Sequence, residues 1–547
     1  MAIRVGDELK EIRNIIHVMI REAYLAGTRD QGILMIKNRL ENRTTFCEYD
    51  KVLMGPIDDK LGCEQGGQNS DKFFRLVGNS QLKSAQNSNL GVKISEDIHI
   101  AAIGQADDSC LMSTSIGSLQ NLVNLTLEFC QKYYVELVPE KTKLLAFYPP
   151  SQSLNVYYSK LISDIHINGT KINFTEEAEH VGVIRNTSGN LNHMLNRFSA
   201  HTKAMNAVLP AGLARGHGGN PAAAIRVEKI YGLPVLLSGI SSQVLNRSEL
   251  EALNTHYKGC LEGLSKLYMR TPACVVYFLS SSLPTVAVLH MNMFSLFSML
   301  IRLTDSPLAR LAHHSLTSHP PPPKSWFTQL NSLCQQYGLP PALTLLISPP
   351  PKLQLKNLIK KKVTDFWESK LRDEAQNLSS LAFFKPEYHS LSSPHPIWSS
   401  AGSSPYETKK AVVQARMLSG RYRTEKLRRH WSINQGGYCL LPTCTQQCED
   451  LQHILLLCPS LKEARDRVWA MWSNHLSDKP HISDCVHHYT KEQDDSHIQF
   501  LLDPSVLPHI ISLTQEYGNS VLQTLFYLTR TFCYSVHRAR LKLLGFI

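Results

Sequence analysis

The chain has no long uninterrupted hydrophobic run. Its most apolar stretch, Val286 to Ile301, is broken by His290, Asn292, Ser295 and Ser298 and is too short to cross a bilayer, so a buried helix is expected there and no membrane partner. The opening residues Met1-Ala2-Ile3-Arg4-Val5-Gly6-Asp7 lack the apolar core of a secretory signal. The thirteen cysteines are therefore expected as reduced thiols or metal ligands in an intracellular protein, nuclear or cytoplasmic, and not as a disulfide framework. No repeat of fixed period and no strong basic targeting run is present. Acidic residues are the scarcer charge: the formal net charge of +11 favours a polyanionic partner, with nucleic acid the leading candidate.

The 547 residues exceed what one core organises and suggest roughly three or four domains. With 43% hydrophobic residues the chain can build real cores, which argues against wholesale disorder. Proline-rich breaks at Pro320-Pro321-Pro322-Pro323, Ser348-Pro349-Pro350-Pro351 and Ser392 to Pro405 read as linkers or loops. Strand-like alternation is concentrated before about residue 185. Later patterns, such as Thr408 to Arg429 and Thr514 to Leu544, are helical. The expected fold class is α+β, divided at 1–185, 186–318, 319–407, 408–475 and 476–547.

Within the mixed front, Ile98 to Ala106 is a strand-like run ending in Asp107-Asp108, and Ser109 to Ser113 can return as a second strand. Helical spacing follows at Leu119, Leu122, Val123 and Phe129, then a strand at Val135-Glu136-Leu137-Val138 and a basic loop at Pro139 to Lys143. Two carboxylates at a hairpin tip suit hard Mg²⁺, and two such ions can clamp the attacking and leaving oxygens of a phosphoryl transfer. Neighbouring strand residues face opposite sides, which makes Asp107 the preferred ligand. Upstream, Leu61-Gly62-Cys63-Glu64-Gln65-Gly66-Gly67-Gln68-Asn69-Ser70-Asp71 combines glycines that permit close backbone approach with a neutral amide that can bond a base or sugar edge.

Gly62-x-x-Gln65-Gly66-Gly67-x-x-Ser70-Asp71 resembles the nucleotide-selecting loop and helix of reverse transcriptases, and Gln105-Ala106-Asp107-Asp108 resembles their catalytic palm hairpin. Glu140-Lys141-Thr142-Lys143-Leu144 looks like the lysine-bearing segment after the palm helix, and Glu179-His180-Val181-Gly182-Val183-Ile184 like the primer-grip strand. The motifs stand in the family's order over roughly residues 20–200, in the style of non-LTR retrotransposons. The resemblance implies a partial right-hand palm over 1–185, a helical thumb over 186–318, and helical modules behind. It further implies catalytic and Mg²⁺- or Mn²⁺-binding roles for Asp107 and Asp108, nucleotide or template contacts from Gln65, Gly66, Gly67, Ser70 and Lys143, and a primer grip at His180 and Gly182. The partners would be an RNA template and a DNA primer. For the family's first palm carboxylate the only candidate is Asp7, without the small-aromatic-Asp signature, and the fingers have no counterpart. The expectation is an incomplete polymerase that is inactive alone.

In the second half, Cys439, Cys444, His453 and Cys458 follow C-x4-C-x8-H-x4-C, compatible with tetrahedral Zn²⁺; Cys448 is a rival ligand. This segment, with an expected helix from Glu449 to Pro459, also resembles the zinc knuckle downstream of the polymerase in many non-LTR elements. Just before it, Arg421 to Trp431 mixes cations with aromatics and could hold phosphates and stack a base, or form a solvated basic face. Lys360-Lys361-Lys362 is expected to be exposed. The helix bearing Arg530, His537, Arg538, Arg540 and Lys542 is expected to dock by its apolar side. No endonuclease or ribonuclease H constellation is visible. Two rival readings are a non-enzymatic nucleic-acid-binding remnant and an unrelated metal-dependent enzyme using Asp107 and Asp108.

Overall fold

A computed structural model gives the fold. It describes residues 21–546 apart from 22, 25–26, 41–42, 50, 60–69, 106–107, 134, 148–163, 188–190, 210–218, 304–305, 319–324, 430–435, 445–446 and 492–493. The side chains of 39–40, 43–49, 57–59, 70–74, 76 and 191 also lie outside that description. The chain forms two compact units, 1–193 and 194–547. The molecule is mostly helical with a few small antiparallel sheets, which is compatible with α+β. No helix among the described residues is long and apolar enough to cross a membrane.

In the first unit the strands do not merge into one sheet. The described residues form five separate two-stranded antiparallel ribbons. The expected carboxylate hairpin is one of them, Ala102–Gln105 with Asp108–Leu111, in a register that pairs Gln105 with Asp108. The ribbon Ile165–Ile167/Thr170–Ile172 turns at Asn168-Gly169, where φ is 49° and 81°, the left-handed pair that suits a two-residue hairpin. Glu179 to Ile184, expected as one strand, is instead the closing part of a hairpin, Glu177–His180 with Val183–Asn186, turning at Val181-Gly182. The strand expected at Val135 to Val138 is absent: the Val135 N–H closes onto the Cys130 carbonyl at the helix end, and the Val138 carbonyl accepts the Lys141 N–H of the 3₁₀ turn Pro139–Lys141.

Two helices complete this unit's centre. Ile116–Lys132 starts at Ser115, whose hydroxyl accepts the Ser118 N–H at 3.1 Å. Ser70–Asn87 runs beside it. Gln81 donates to the Thr126 hydroxyl at 3.1 Å, and its carbonyl oxygen accepts from Ser109 at 3.5 Å. The cores are small: Val123, Leu144, Ile165, Ile167 and Ile172 form one, and Ala85, Ala101 and Leu122 another.

The described residues of the second unit are helix, turn and loop apart from one antiparallel bridge between Tyr438 and Cys448, around one continuous hydrophobic cluster that runs from Met194 to Val536. The divisions expected at 318/319, 407/408 and 475/476 fall within it. Thr285–Leu300 is the buried helix expected from its composition, with Phe294 and Phe297 enclosed; its interrupting His290 meets the Tyr337 hydroxyl at 2.6 Å. Two of the proline breaks, expected as linkers or loops, are loops packed into the unit. The Pro350 carbonyl accepts from Arg302 at 2.6 Å, and Pro351 leads directly into the helix Lys352–Gln376, where a ring-fixed φ is already suited to a helix start. Within Ser392 to Pro405, His395, Ile397 and Trp398 are buried, and the Trp398 indole donates to the Leu279 carbonyl at 2.9 Å. The break at Pro320 to Pro323 lies outside the described residues. Lys360, Lys361 and Lys362 are exposed, as expected.

The helix Ser520–Leu543 is the unit's hub, burying Phe526, Leu528, Phe532, Cys533 and Val536. Trp472 packs on Phe532 with ring centres 5.8 Å apart. Gln414, on the helix Pro405–Leu418, donates to both the Leu501 carbonyl and the Thr529 hydroxyl, at 2.8 and 2.9 Å. Two of the helix's cations face inward: Arg530 meets Glu407 at 2.6 Å, and Arg540 pairs with Glu449.

Candidate metal centre

The segment 436–461 builds its site in two halves. Gly437, with φ of 65°, accepts the Glu449 N–H at 2.9 Å, and Tyr438 beside it bridges Cys448 in antiparallel fashion. The Cys439 N–H then reaches the Gln447 carbonyl at 2.8 Å, and the Cys444 N–H closes on Leu441 at 3.0 Å. These turns bring two thiols together. The second half is a π-helical turn over His453–Leu457, whose entry is capped by Asp450 accepting the His453 N–H at 3.0 Å. The Cys458 N–H bonds the His453 carbonyl at 2.7 Å, an i→i+5 closure. An α-helix would rotate residues five apart to different faces; the wider turn stacks Cys458 over His453. That is the local reason why an H-x4-C spacing works as a ligand pair.

The ligand atoms of Cys439, Cys444, His453 and Cys458 all lie within 4.8 Å of one another, with Cys444 Sγ 3.2 Å from His453 Nε2. Tetrahedral zinc with Zn–S near 2.3 Å sets sulfurs about 3.8 Å apart, so the cluster fits such an ion after small adjustments. Cys439, His453 and Cys458 are buried and Cys444 is half-buried. The rival Cys448 is exposed and stands outside the group. Burial pushes the Cys439 and Cys444 thiols up from their ordinary range. At Cys458 burial acts in the same direction, but the hydrogen bond and charge of His453 outweigh it, and the net shift is downward. A metal ion would reverse the upward shifts by binding thiolates. The cluster could thus hold a metal such as zinc, and because all four positions are protein donors, the role it suits is structural and not catalytic.

The site is anchored to its surroundings by ions as well as by packing. Glu449, fully buried, accepts the Glu425 N–H at 3.0 Å and pairs with Arg540 of the hub helix; its own carbonyl accepts from the Lys426 N–H at 3.1 Å. Arg465 donates to the Cys458 carbonyl at 2.8 Å. Glu449 carried no signal in the sequence, because its partner stands 91 positions away.

The basic segment ahead of the site is largely tied down. Arg423 lies over the Tyr268 ring at 4.8 Å, Arg428 meets Glu425 at 2.8 Å and Lys426 meets Asp450 at 3.2 Å. Only Glu425–Arg428 is helical there, and Trp431 lies outside the described residues.

Of the other expected site residues, Asp7, Gln65, Gly66, Gly67 and Asp107 lie outside the described residues. Ser70 opens its helix, and its side chain is likewise outside. Asp108 is exposed at the start of the return strand, Lys143 is exposed after the 3₁₀ turn, and Gly182 is exposed in its turn. His180 is half-buried, with its Nε2 enclosed and unbonded. No group of metal-ligating side chains among the described residues includes Asp108, so a Mg²⁺ site at the palm hairpin is without support from the geometry. No protein-family model matches the chain, and no curated protein matches it in sequence.

Proposed function

We propose that this is a retroelement-derived protein of the reverse transcriptase family, of the non-LTR kind, that holds an RNA template and a DNA primer and carries a structural zinc module behind its polymerase-like front. In this reading Asp107 and Asp108 would hold the Mg²⁺ or Mn²⁺ that neutralises charge during nucleotidyl transfer. Gln65, Gly66, Gly67, Ser70 and Lys143 would contact nucleotide or template, and His180 and Gly182 the primer. The third carboxylate that such a site uses has no motif-bearing counterpart, and the expected behaviour is nucleic-acid binding without incorporation.

One observation supports the reading most. The helix Ser70–Asn87, which directly follows the Gln-Gly-Gly segment, lies against the Asp-Asp hairpin: a Cβ placed on Gly104 would stand 2.9 Å from Leu82, and Gln81 links the return strand at Ser109 to the following helix at Thr126. The helix that follows the segment resembling a nucleotide-selecting loop and the strands of the hairpin that resembles the catalytic one are thereby packed together, which supports the reading.

The test is primer extension on poly(rA)/oligo(dT) with Mg²⁺ or Mn²⁺, alongside template binding, for the chain and its Asp107→Ala, Asp108→Ala variant. Template binding without incorporation is expected. Incorporation that vanishes in the variant would establish the polymerase and overturn the expected inactivity, whereas absence of both binding and incorporation would sink the reading.

A further inference from the structure

A second cluster of metal-ligating side chains lies in the helical unit, apart from the cysteine-rich segment. His201 is on the helix Leu191–Val208, and Glu228 opens the π-helical turn Glu228–Gly232, which is continuous with Pro221–Val227 before it and Leu233–Leu237 after it. Cys260 and His256 stand one turn apart on Arg247–Leu264. The ligand atoms of His201, Glu228 and Cys260 lie within 4.8 Å of one another.

Glu228 has no accessible surface, and among the described residues its only ion-pair partner is His201, whose Nε2 is 2.9 Å from its Oε1. The neighbouring Lys229 turns away to the Ser281 carbonyl at 2.5 Å. The second carboxylate oxygen, Oε2, is buried without any hydrogen-bond partner. Its place is built: a Cβ on Gly232 would stand 1.9 Å from that oxygen and 2.5 Å from Met205 Sδ, so only glycine lets the carboxylate fold back over the turn. π-Turns inside α-helices recur at functional positions, and here the turn delivers the carboxylate.

The other face of His201 is fixed as well, with Nδ1 3.0 Å from His256 Nε2, and the His256 ring is stacked on Phe198 at 4.3 Å. This chain of bonds can run in either direction. Directed toward Glu228, it gives the buried anion a single donor and leaves both the second oxygen and the nearby thiol without a role. Directed the other way, His201 donates Nδ1–H to His256 Nε2. His201 Nε2, the Glu228 carboxylate and Cys260 Sγ then present three lone pairs to one point. A ligating histidine whose other ring nitrogen donates to a supporting acceptor is the usual arrangement around a bound metal.

We infer that His201, Glu228 and Cys260 form a second divalent-metal site, of the nitrogen, oxygen and sulfur donor set that zinc takes, with His256 as the positioning residue behind His201. Such an ion supplies the positive charge that Glu228 otherwise lacks and pins three helical segments together. The site is independent of the reverse transcriptase reading.

The experiment uses the full chain with its cysteine-rich segment intact, titrated with Co²⁺ after removal of bound metal. Thiolate-to-cobalt absorption is recorded, and zinc content is measured by mass spectrometry on separately zinc-loaded protein. The expected result is two thiolate-ligated metal equivalents for the unmodified chain and one for Cys260→Ser, with circular dichroism unchanged. Glu228→Gln, which keeps shape and hydrogen bonding but not charge, is expected to weaken the second equivalent at least tenfold and to supply the same comparison if Cys260→Ser does not fold. A single equivalent in the unmodified chain, or two undiminished equivalents in either folded variant, would overturn the site.

Discussion

Cys458 and Asp108 are both candidate metal ligands, and their settings are opposite. Cys458 is at 0% exposure, its carbonyl held by Arg465 and its cluster joined by Glu449 to the hub helix. Asp108 is exposed on a ribbon with four residues to a strand, and the buried clusters among the described residues of its unit are small. The difference follows from ligand chemistry. A thiolate and imidazole set drawn from twenty residues is complete in itself and profits from dehydration, while under the proposed function a carboxylate at a hairpin tip would depend on other segments to complete its ion and would have to stay open to a bulky, charged substrate.

The contrast breaks first at the cysteine-rich segment. Replacing Cys458 with serine, or stripping metal with a chelator, is expected to cost the second unit on the order of 5 kcal/mol, since loss of a metal belongs among the largest single changes. Calorimetry with and without zinc reads this, and a variant that melts like the unmodified chain would remove the metal from the architecture. Arg540→Met leaves Glu449 buried and uncompensated and should cost roughly 3–5 kcal/mol in denaturant unfolding. The double replacement Glu449→Gln, Arg540→Met should recover much of that loss, and failure to recover would mean that Arg540 acts by packing.

Acidification sharpens the same comparison. Burial lowers His290 from 6.5 to about 4, and its Nδ1 faces the Tyr337 hydroxyl, which itself accepts from the Trp367 indole and so is left to donate to a neutral ring. Burial, followed by the charges of Arg540, Arg416 and Lys409, lowers His537 in the same way. Both groups favour the folded state when neutral. Their contribution is complete above pH 6.5 and falls away toward pH 4 as the unfolded chain takes up the proton first, at up to about 1.4 kcal/mol per pH unit for each. Urea midpoints of the second unit across that window should decline; a flat profile would contradict neutral burial. The smallest effect belongs to the hairpin: Asp108→Ala should change stability by less than about 0.5 kcal/mol, because the side chain is exposed. A larger loss would mean that this carboxylate is structural.

What was legible in the sequence was local. The C-x4-C-x8-H-x4-C spacing, the Ala102 to Leu111 hairpin and the buried helix around Phe294 each depend on neighbours a few residues away. What could not be read depends on distant partners. Pro351 and Trp398 sit in segments whose composition left linker or loop open, and Arg302 beside Pro350 and Leu279 beside Trp398 pack them into the unit as loops. Val135 to Val138 has strand-forming residues, but the helix end takes the Val135 N–H and the 3₁₀ turn takes the Val138 carbonyl. Glu449 with Arg540, and His201 with Glu228 and Cys260, were unreadable because nothing in a linear pattern marks partners that meet only after folding.

The hub helix carries a kinetic consequence. The Gln414–Thr529 bond closes over 115 positions and the Trp398–Leu279 bond over 119, so the chain must bring remote stretches together before any of these contacts repays the entropy of loop closure. Folding of the second unit should therefore be slow and all-or-none. A cut ahead of the buried Ile397 and Trp398 would part the Trp398 indole from the Leu279 carbonyl and uncover apolar surface on both pieces, which would aggregate instead of folding as independent modules.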